Sequence, residues 1–468
     1  MSDASTAQQS VSTDIPELPK FTNLDSLKLY LSCKTFDQYE AKVLSHLSFF
    51  PDSDGRKKAK IINTPIDKEG NYIHEFCVEN VKTSSLDKDK IVDVVLVHGY
   101  GASLAFFVEN FDGLTENERI RLHAIDMLGF SGSSKPPLPD SNNTSANDIM
   151  KVEDYFTDSI EKWRKEKGLS HFVLMGHSLG GYLSSCYYLK YGKDVVDKLV
   201  LISPVGLERN DFSLIGGYSR TEKELSKNKT ISLSEETEIL NREAPKISRE
   251  ITQSREETLA ASGKASGAGT SSDSNSELES NYSADNVSVF SQNNDPDYVK
   301  VKMDQKRRLG INSFFTYLWE KNFSPFSLLR MFGPFAPKLI SKWSFNRFGS
   351  IEDSNKLLDL HNFSYKAFIG KASGEYAITK LLAPGVLPRL PLLDRIPKKI
   401  TVPSLWLYGD NDWMSKRSGR RMVREINEEN PLHDANLAKF RLVEQAGHHL
   451  YLDNVSEFNR LVTKFIVK

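Results

Sequence analysis

Cysteine is scarce, with only Cys33, Cys77 and Cys186 in 468 residues. Three scattered thiols cannot build a disulfide framework or a thiolate metal site, so no metal is expected and a reducing compartment is the default. No motif calls for a cofactor. Long apolar runs are also missing. Nothing approaches the roughly 18 uninterrupted apolar residues of a spanning helix, which leaves a soluble or peripherally attached protein. Residues 1–10 hold no charged segment followed by an apolar one, which argues against a secretory signal. Asp3, Asp14 and Glu17 precede the first arginine, Arg56, unlike an arginine-rich mitochondrial presequence. Net charge is nearly absent too: 61 basic and 62 acidic side chains leave a formal charge of -1. Global electrostatics therefore gives no reason to expect nucleic acid as a partner. The expected setting is intracellular, with any membrane attraction local.

What is present is a 39% hydrophobic content, ample for a substantial core. Short runs rich in Val, Ile and Leu occur at 91–97, 122–125, 172–175, 199–202, 404–408 and 440–443, each bounded by turn residues. Buried parallel strands have this character. Helical patterns at 152–167 and 178–191 alternate with them, which predicts an α/β fold with a mostly parallel sheet covered on both faces. The alternation stops near Gly206 and resumes near Thr401. The expected organisation is a polar, loosely attached N-terminal extension over 1–70, a core first part over 71–207, an inserted cap over 208–397 and a core second part over 398–468. Within the insertion, 254–296 is rich in Ser, Gly, Asn and acidic residues and is expected to be a disordered loop. Apolar and aromatic residues return over 300–393, as in a helical cap above the mouth of the sheet.

The run at 172–175 leads directly into Gly176-His177-Ser178-Leu179-Gly180-Gly181, and a helical pattern follows at once. Strand, Gly-x-Ser-x-Gly and helix in succession define the nucleophile elbow of the α/β-hydrolase fold. Ser178 is the expected nucleophile, and Gly176 and Gly180 remove side chains that a sharp turn could not accommodate. The first apolar run ends in His98-Gly99-Tyr100-Gly101. In this fold one oxyanion donor comes from that loop and one from the residue after the nucleophile, which assigns the backbone N–H groups of Tyr100 and Leu179. The bland alternative for His-Gly-Tyr-Gly is an ordinary glycine turn. Asp126-Met-Leu-Gly129 is expected to be a structural turn with no chemical role.

Chain order in this fold is serine, acid, histidine. Gly409-Asp410-Asn411-Asp412 offers two carboxylates. Asp412 is the expected triad acid, because it lies beyond the strand and can turn back under the histidine. Asp410, in the turn itself, has the alternative of bonding local backbone N–H groups. Ala446-Gly447-His448-His449 offers two bases, of which His448 is preferred and His449 is the candidate for a packing role. From His448 to Asp453 the chain also spells His-x-x-x-x-Asp, a spacing associated with glycerolipid acyltransferases. Between Glu320 and Glu352 no acidic residue occurs. Lys321, Arg330, Lys338, Lys342 and Arg347 are interleaved there with Phe323, Phe326, Phe332, Phe335, Trp343, Phe345 and Phe348. That mixture suits the headgroup region of an anionic bilayer, with Lys306-Arg307-Arg308 just upstream adding to it. The alternative is that these rings form the cap's own core and the cations its solvated face. Pro325, Pro334 and Pro337 exclude one long helix.

The residues 173–183 around the elbow, the stretch Asn322-Phe-Ser-Pro-Phe-Ser-Leu-Leu-Arg330 with Gly333-Pro334, the segment Ala372-Ser-Gly-Glu375 and the ending Ala446-Gly-His-His-Leu-Tyr-Leu-Asp453 together resemble one subfamily. It is the α/β-hydrolase subfamily of lipid metabolism: fungal cardiolipin-specific phospholipases, lysophosphatidate-acyltransferase-like relatives, animal N-acylphosphatidylethanolamine lipases and lipase co-activators. The resemblance covers roughly 72–465 without the low-complexity loop. It implies phospholipid substrates, membrane association and, for several fungal relatives, a mitochondrial location; the cytoplasm and the lipid droplet are the alternatives. Co-activator members lack the serine, whereas Ser178 is present. The leading expectation is deacylation of a glycerophospholipid, with cardiolipin favoured. The alternatives are acyl-CoA-dependent acylation of lysophosphatidic acid and a non-catalytic membrane adaptor that binds a lipase.

Overall fold

In the computed structural model the described residues are 20–141, 143–215, 298–299 and 313–468. The segment 254–296 and the Lys306-Arg307-Arg308 cluster lie outside them. Eight strands form one sheet in the order β1-β2-β4-β3-β5-β6-β9-β10. They are β1 (Lys57–Pro65), β2 (Tyr72–Asn80), β3 (Val92–Val97), β4 (Ile120–Ile125), β5 (Phe172–His177), β6 (Val196–Ile202), β9 (Ser404–Gly409) and β10 (Ala438–Val443). From β4 to β10 all neighbours run parallel, and β1 and β2 add an antiparallel edge. A short antiparallel pair, β7 (Leu382–Ala383) with β8 (Leu387–Pro388), lies within the insertion.

Alternation along the central strands divides the core in two, because successive side chains point to opposite faces. Val94, Leu96, Val173, Met175, Val200 and Ile202 join one apolar cluster. Val95, Val97, Leu174, Leu199 and Leu201 join the other. The second face is covered by α4 (Ala146–Glu166), α5 (Leu179–Tyr191) and α11 (Lys416–Glu429). The first is covered by α3 (Phe111–Leu114) and by α12 (Leu450–Asp453) and α13 (Val455–Ile466). Helix α4 shows how the sequence does this: Ser145 caps it by accepting the Asp148 N–H, and Ile149, Val152, Phe156, Ile160 and Trp163 recur on one buried stripe. The chain goes from β3 to β4 on one side and returns to β5 on the other. Strand order therefore reverses at β3, which opens a crevice at the carboxyl ends of β3 and β5.

The cap contributes α6 (Ser313–Glu320), α7 (Pro325–Met331), α8 (Ala336–Arg347), α9 (Ser354–Ile369) and α10 (Ala377–Leu381). Its prolines sit where the missing N–H does no harm: Pro325 opens α7, Pro334 lies in a tight turn and Pro337 is in the first turn of α8. The cap aromatics divide. Phe345 and Phe348 are buried, whereas Phe332 and Phe335 are exposed. The cations do not form a uniform outward face. Arg330 pairs with Glu375, with Nη1 3.1 Å from Oε2, and Lys338 donates to the Phe21 carbonyl. Arg347 donates to the Gly101 carbonyl at 3.0 Å.

The boundary expected at residue 70 is corrected by the structure. Strand β1 is the sheet's first edge strand, and α1 (Asn23–Tyr30) and α2 (Phe36–Leu44) pack on α8 and α9. Both helices open with complete capping boxes, Thr22 with Asp25 and Thr35 with Gln38. Ser26 Oγ donates to the Pro334 carbonyl at 2.7 Å and accepts the Lys338 N–H at 2.9 Å, while Val43 and Leu44 are fully buried. Residues 20–65 are thus attached firmly to both cap and sheet. Each piece buries few side chains, so its apolar signal is weak.

Strands β2 and β4 carry a buried polar ladder. His123 has Nδ1 2.6 Å from Glu75 Oε1 and Nε2 3.0 Å from Asp93 Oδ1. Lys167 and Trp163 also reach Glu75, and Arg121 reaches Asp93. Burial by itself would lower the His123 pKa, but bonds to Asp93, Cys77 and Glu75 overcome it and hold the imidazole well above its ordinary value. Burial likewise opposes ionisation of Glu75 and Asp93, yet His123 and the neighbouring cations hold both carboxyls below their usual range. A raised imidazole contributes fully below about pH 6.5 and loses that contribution as pH rises through its folded value; lowered carboxylates contribute above about pH 4 and lose it in acid. His123→Gln removes the cation that Glu75 and Asp93 share, leaving them to Lys167 and Arg121, and is expected to cost about 1–3 kcal/mol. In thermal melts the deficit is expected to be largest between about pH 4.5 and 6.5 and to narrow towards alkaline pH; a deficit independent of pH would contradict the charge assignment.

Candidate active site

Ser178 stands between β5 and α5 with φ 54° and ψ -116°, a backbone region that L side chains rarely occupy. Its N–H donates to the Ile202 carbonyl at 2.9 Å, and its own carbonyl accepts from Tyr182 and Val205. The flanking glycines are required by contacts with backbone rather than with the serine. A Cβ on Gly176 would lie 2.5 Å from the Gly180 carbonyl oxygen, and one on Gly180 would lie 2.3 Å from that of His98. The elbow is therefore pressed against the end of β3. Gly99 completes that contact, since a Cβ there would stand 3.0 Å from the Ser178 Cβ.

The loops after β9 and β10 bring an acid and a base to this point. His448 Nε2 lies 3.0 Å from Ser178 Oγ, and His448 Nδ1 lies 3.2 Å from Asp412 Oδ1. With Nδ1–H donated to the carboxylate, Nε2 is left as the acceptor facing the hydroxyl. Asp412 is buried; Oδ1 also accepts the Met414 N–H at 2.9 Å, and Oδ2 accepts from the Ser203 hydroxyl. Asp410 does different work. It accepts the Gln445 and Ala446 N–H groups at 3.0 and 2.8 Å and so ties the β9 loop to the loop that carries His448. Trp413 lies beside the imidazole, with ring centroids 4.9 Å apart.

The ring that meets the hydroxyl belongs to His448, while His449 packs beside His177 and Tyr451. Burial, and then the nearby Arg347 cation, push the His449 pKa well below the usual imidazole value. Asp453 accepts the Gly447 N–H at 2.8 Å, so it holds the backbone just ahead of His448 while the imidazole faces Asp412. Burial raises the Asp453 pKa in spite of that bond. Leu179 opens α5, where the first N–H groups have no intrahelical acceptor. The Tyr100 ring stacks on Phe326 of α7 at 5.4 Å, so the cap sits directly on the glycine loop after β3.

Several residues shape the site through partners that the sequence did not indicate, and Asp126, expected in a structural turn, is one of them. His98 Nδ1–H donates to the Gly99 carbonyl at 2.7 Å and Nε2 accepts the Met127 N–H at 3.1 Å, which fixes the neutral tautomer and the shape of the glycine loop. Burial lowers the His98 pKa accordingly. Asp126 accepts the Leu104 and Gly132 N–H groups, both at 2.8 Å. His177 Nε2–H donates to the His448 carbonyl at 3.0 Å. Ser203 and Arg347 are also distant in sequence from what they touch. Residues of metal-ligating type gather at Glu75, Cys77 and His123 and at Glu40, His74 and Asp126. In the first group both His123 nitrogens are already on carboxylates. In the second, His74 bridges Glu40 and Asn63, at 2.7 and 2.6 Å. The chemistry this arrangement supports is nucleophilic attack by a hydroxyl with its proton taken up by His448.

Residues 94–225 match the α/β-hydrolase fold family. A 1-acylglycerol-3-phosphate O-acyltransferase of Arabidopsis thaliana is 26% identical over 388 residues, covering 82% of this chain and 68% of the relative. A (lyso)-N-acylphosphatidylethanolamine lipase of Bos taurus is 25% identical over 375 residues, 79% of this chain and 77% of its own. The chain spans about two thirds of the length of its plant relatives, 66% in rice and 68% in Arabidopsis thaliana. Among solved structures, a bromoperoxidase from Bacillus anthracis aligns with 87% of this chain and 100% of its own, with 15% identity and a TM-score of 0.48. With the strand order and the serine turn described above, the chain has the α/β-hydrolase fold and is similar to relatives named 1-acylglycerol-3-phosphate O-acyltransferase and (lyso)-N-acylphosphatidylethanolamine lipase.

Proposed function

We propose that this chain is a serine hydrolase that deacylates a glycerophospholipid, with cardiolipin the favoured substrate on family resemblance, and that it acts in phospholipid remodelling. The observation that carries the reading is the unbroken relay from Ser178 Oγ to His448 Nε2 at 3.0 Å and from His448 Nδ1 to Asp412 at 3.2 Å. As Oγ attacks the acyl carbonyl, His448 takes its proton and Asp412 stabilises the imidazolium. The Tyr100 and Leu179 N–H groups receive the developing oxyanion, and collapse of the tetrahedral species expels the lysolipid alkoxide, protonated by His448. Water then attacks the acyl-Ser178 ester by the same relay in reverse. A second reading, transfer of that acyl group to a lysophospholipid, is supported by the acyltransferase names among the relatives.

A fluorophosphonate probe is expected to label the wild type and to leave Ser178→Ala unlabelled; an unlabelled wild type would sink this reading and favour a non-catalytic adaptor, and labelling unchanged in Ser178→Ala would deny Ser178 the nucleophile's role. Asp412→Asn is expected to lower kcat about 10³- to 10⁴-fold, and Asp410→Asn, which loosens only the histidine loop, no more than about tenfold. Equal losses would deny Asp412 its role. Product analysis with labelled cardiolipin separates the two acceptors: free fatty acid supports hydrolysis, and acylated lysolipid formed only with acyl-CoA supports transfer.

The substrate is proposed to be met at a membrane surface, in the mitochondrion by family resemblance or otherwise at a cytoplasmic or lipid-droplet membrane. Met331 and Phe335 are 76% and 66% exposed at the end of α7 and the start of α8, and Leu31, just past the packed helix α1, is 64% exposed. Lys28 and Lys342 are exposed on α1 and α8. Rings and aliphatic chains left in water beside cations suit an anionic interface. Met331→Asp and Phe335→Asp are each expected to weaken sedimentation with cardiolipin-containing liposomes about tenfold, and unchanged binding would remove the cap from the membrane contact.

A further inference from the structure

Arg347 closes α8 at an unusual place. One guanidinium nitrogen donates to the Gly101 carbonyl at 3.0 Å, in the glycine loop after β3. The other donates to the Tyr451 hydroxyl at 3.2 Å, on α12, three residues after His448. Phe106, Trp343 and Phe348 surround the cation at 4.8, 5.0 and 5.9 Å from their centroids. No carboxylate pairs with it among the described residues, and both hydrogen-bond acceptors are neutral. A half-buried guanidinium without a counter-ion is costly, so its retention is poorly explained by cap packing, which an aliphatic side chain would serve at lower cost.

The two acceptors belong to separate parts of the site. Gly101 has φ +58°, in the turn that also presents Tyr100, and a Cβ there would stand 3.2 Å from Phe326. Tyr451 stacks on Phe107 at 4.1 Å and lies in the first turn of the helix whose Asp453 holds the His448 loop. Arg presents donors on two nitrogens as a rigid fork that spans such a pair, whereas Lys gathers its three N–H donors on one compact, freely rotating nitrogen. The cation also sits among histidines. Burial first, and then charges that include Arg347, hold His177 and His449 well below the usual imidazole range.

We propose that Arg347 is a positioning residue supplied by the cap, which sets the oxyanion loop and the histidine loop at a fixed separation across Ser178. The inference rests on the ester-hydrolase reading of Ser178 given above. Because both loops act in the transition state rather than in holding the substrate, the loss falls on kcat and leaves KM nearly unchanged.

The test uses the full chain and a soluble p-nitrophenyl ester, which reports chemistry without membrane binding. Arg347→Lys keeps stem and charge and is expected to lower kcat about 10- to 100-fold, with KM within about threefold. Tyr451→Phe removes only the acceptor hydroxyl and is expected to lower kcat about threefold, and the double variant is expected to be no slower than Arg347→Lys. Wild-type kcat in Arg347→Lys, a change confined to KM, or fully additive losses would overturn the proposal. A wild type that fails to cleave the ester would instead overturn the ester-hydrolase reading. Both substitutions are conservative, and a melting temperature matching the wild type separates misplaced loops from a misfolded chain.

Discussion

A serine held at φ 54° is the constraint from which the rest of the site follows. Such a backbone costs of order 1–3 kcal/mol and persists only where its surroundings over-determine it. Here they do so from three directions. Ile202 at the end of β6 accepts the serine N–H, the first turn of α5 fixes its carbonyl, and the His98 carbonyl approaches so near Gly180 that no side chain fits between. The same closeness that forces glycine at 176 and 180 brings the loop after β3 against Ser178. The loop proposed to bear the oxyanion and the serine hydroxyl are therefore neighbours because the turn is tight.

Strand reversal at β3 supplies the space above that turn, and four separate loops fill it. Each arrives with its own anchor. His98 and Asp126 shape the loop after β3, Ser203 reaches Asp412 from the end of β6, Asp410 ties the β9 loop to the β10 loop, and Asp453 secures Gly447. The anchors lie within the protein and cross from loop to loop, so the loops hold one another without a substrate. The cap enters the same scheme through Phe326 on Tyr100 and through Arg347.

The central strands were legible because a strand covered on both faces has to be apolar throughout, as β5 is. Strand β2 escaped notice for the opposite reason: it carries His74 and Glu75, buried polar groups whose partners lie on other elements. Strand β1, with a single neighbour and the sequence Lys-Lys-Ala-Lys-Ile-Ile-Asn-Thr-Pro, alternates too weakly to stand out. Ser178 and the two downstream loops could be read because chain order and turn chemistry are local properties. The cap's cations could not. Arg330 and Arg347 look like surface charges until Glu375 and Gly101, remote in sequence, are brought to them. The interrupting prolines also break the helical phase that would have told Phe345 from Phe335.

The His-x-x-x-x-Asp spacing is the clearest case of a pattern whose physical role differs from its association. In this chain the aspartate bonds the N–H of Gly447, one residue ahead of the histidine, across a helix of four residues. A loop that must present an imidazole and then turn at once into a helix leaves backbone N–H groups unpaired, and a carboxylate five residues on can reach one of them. The spacing is thus what a stable histidine loop needs, whatever attacks the acyl-enzyme afterwards. On the reading proposed above, the choice between water and a lysolipid would fall to what the cap admits to Ser178. The Arg347 fork and the aromatic stack of Tyr100 and Phe326 are where the cap touches that choice, since they join it to the loop proposed to bear the oxyanion.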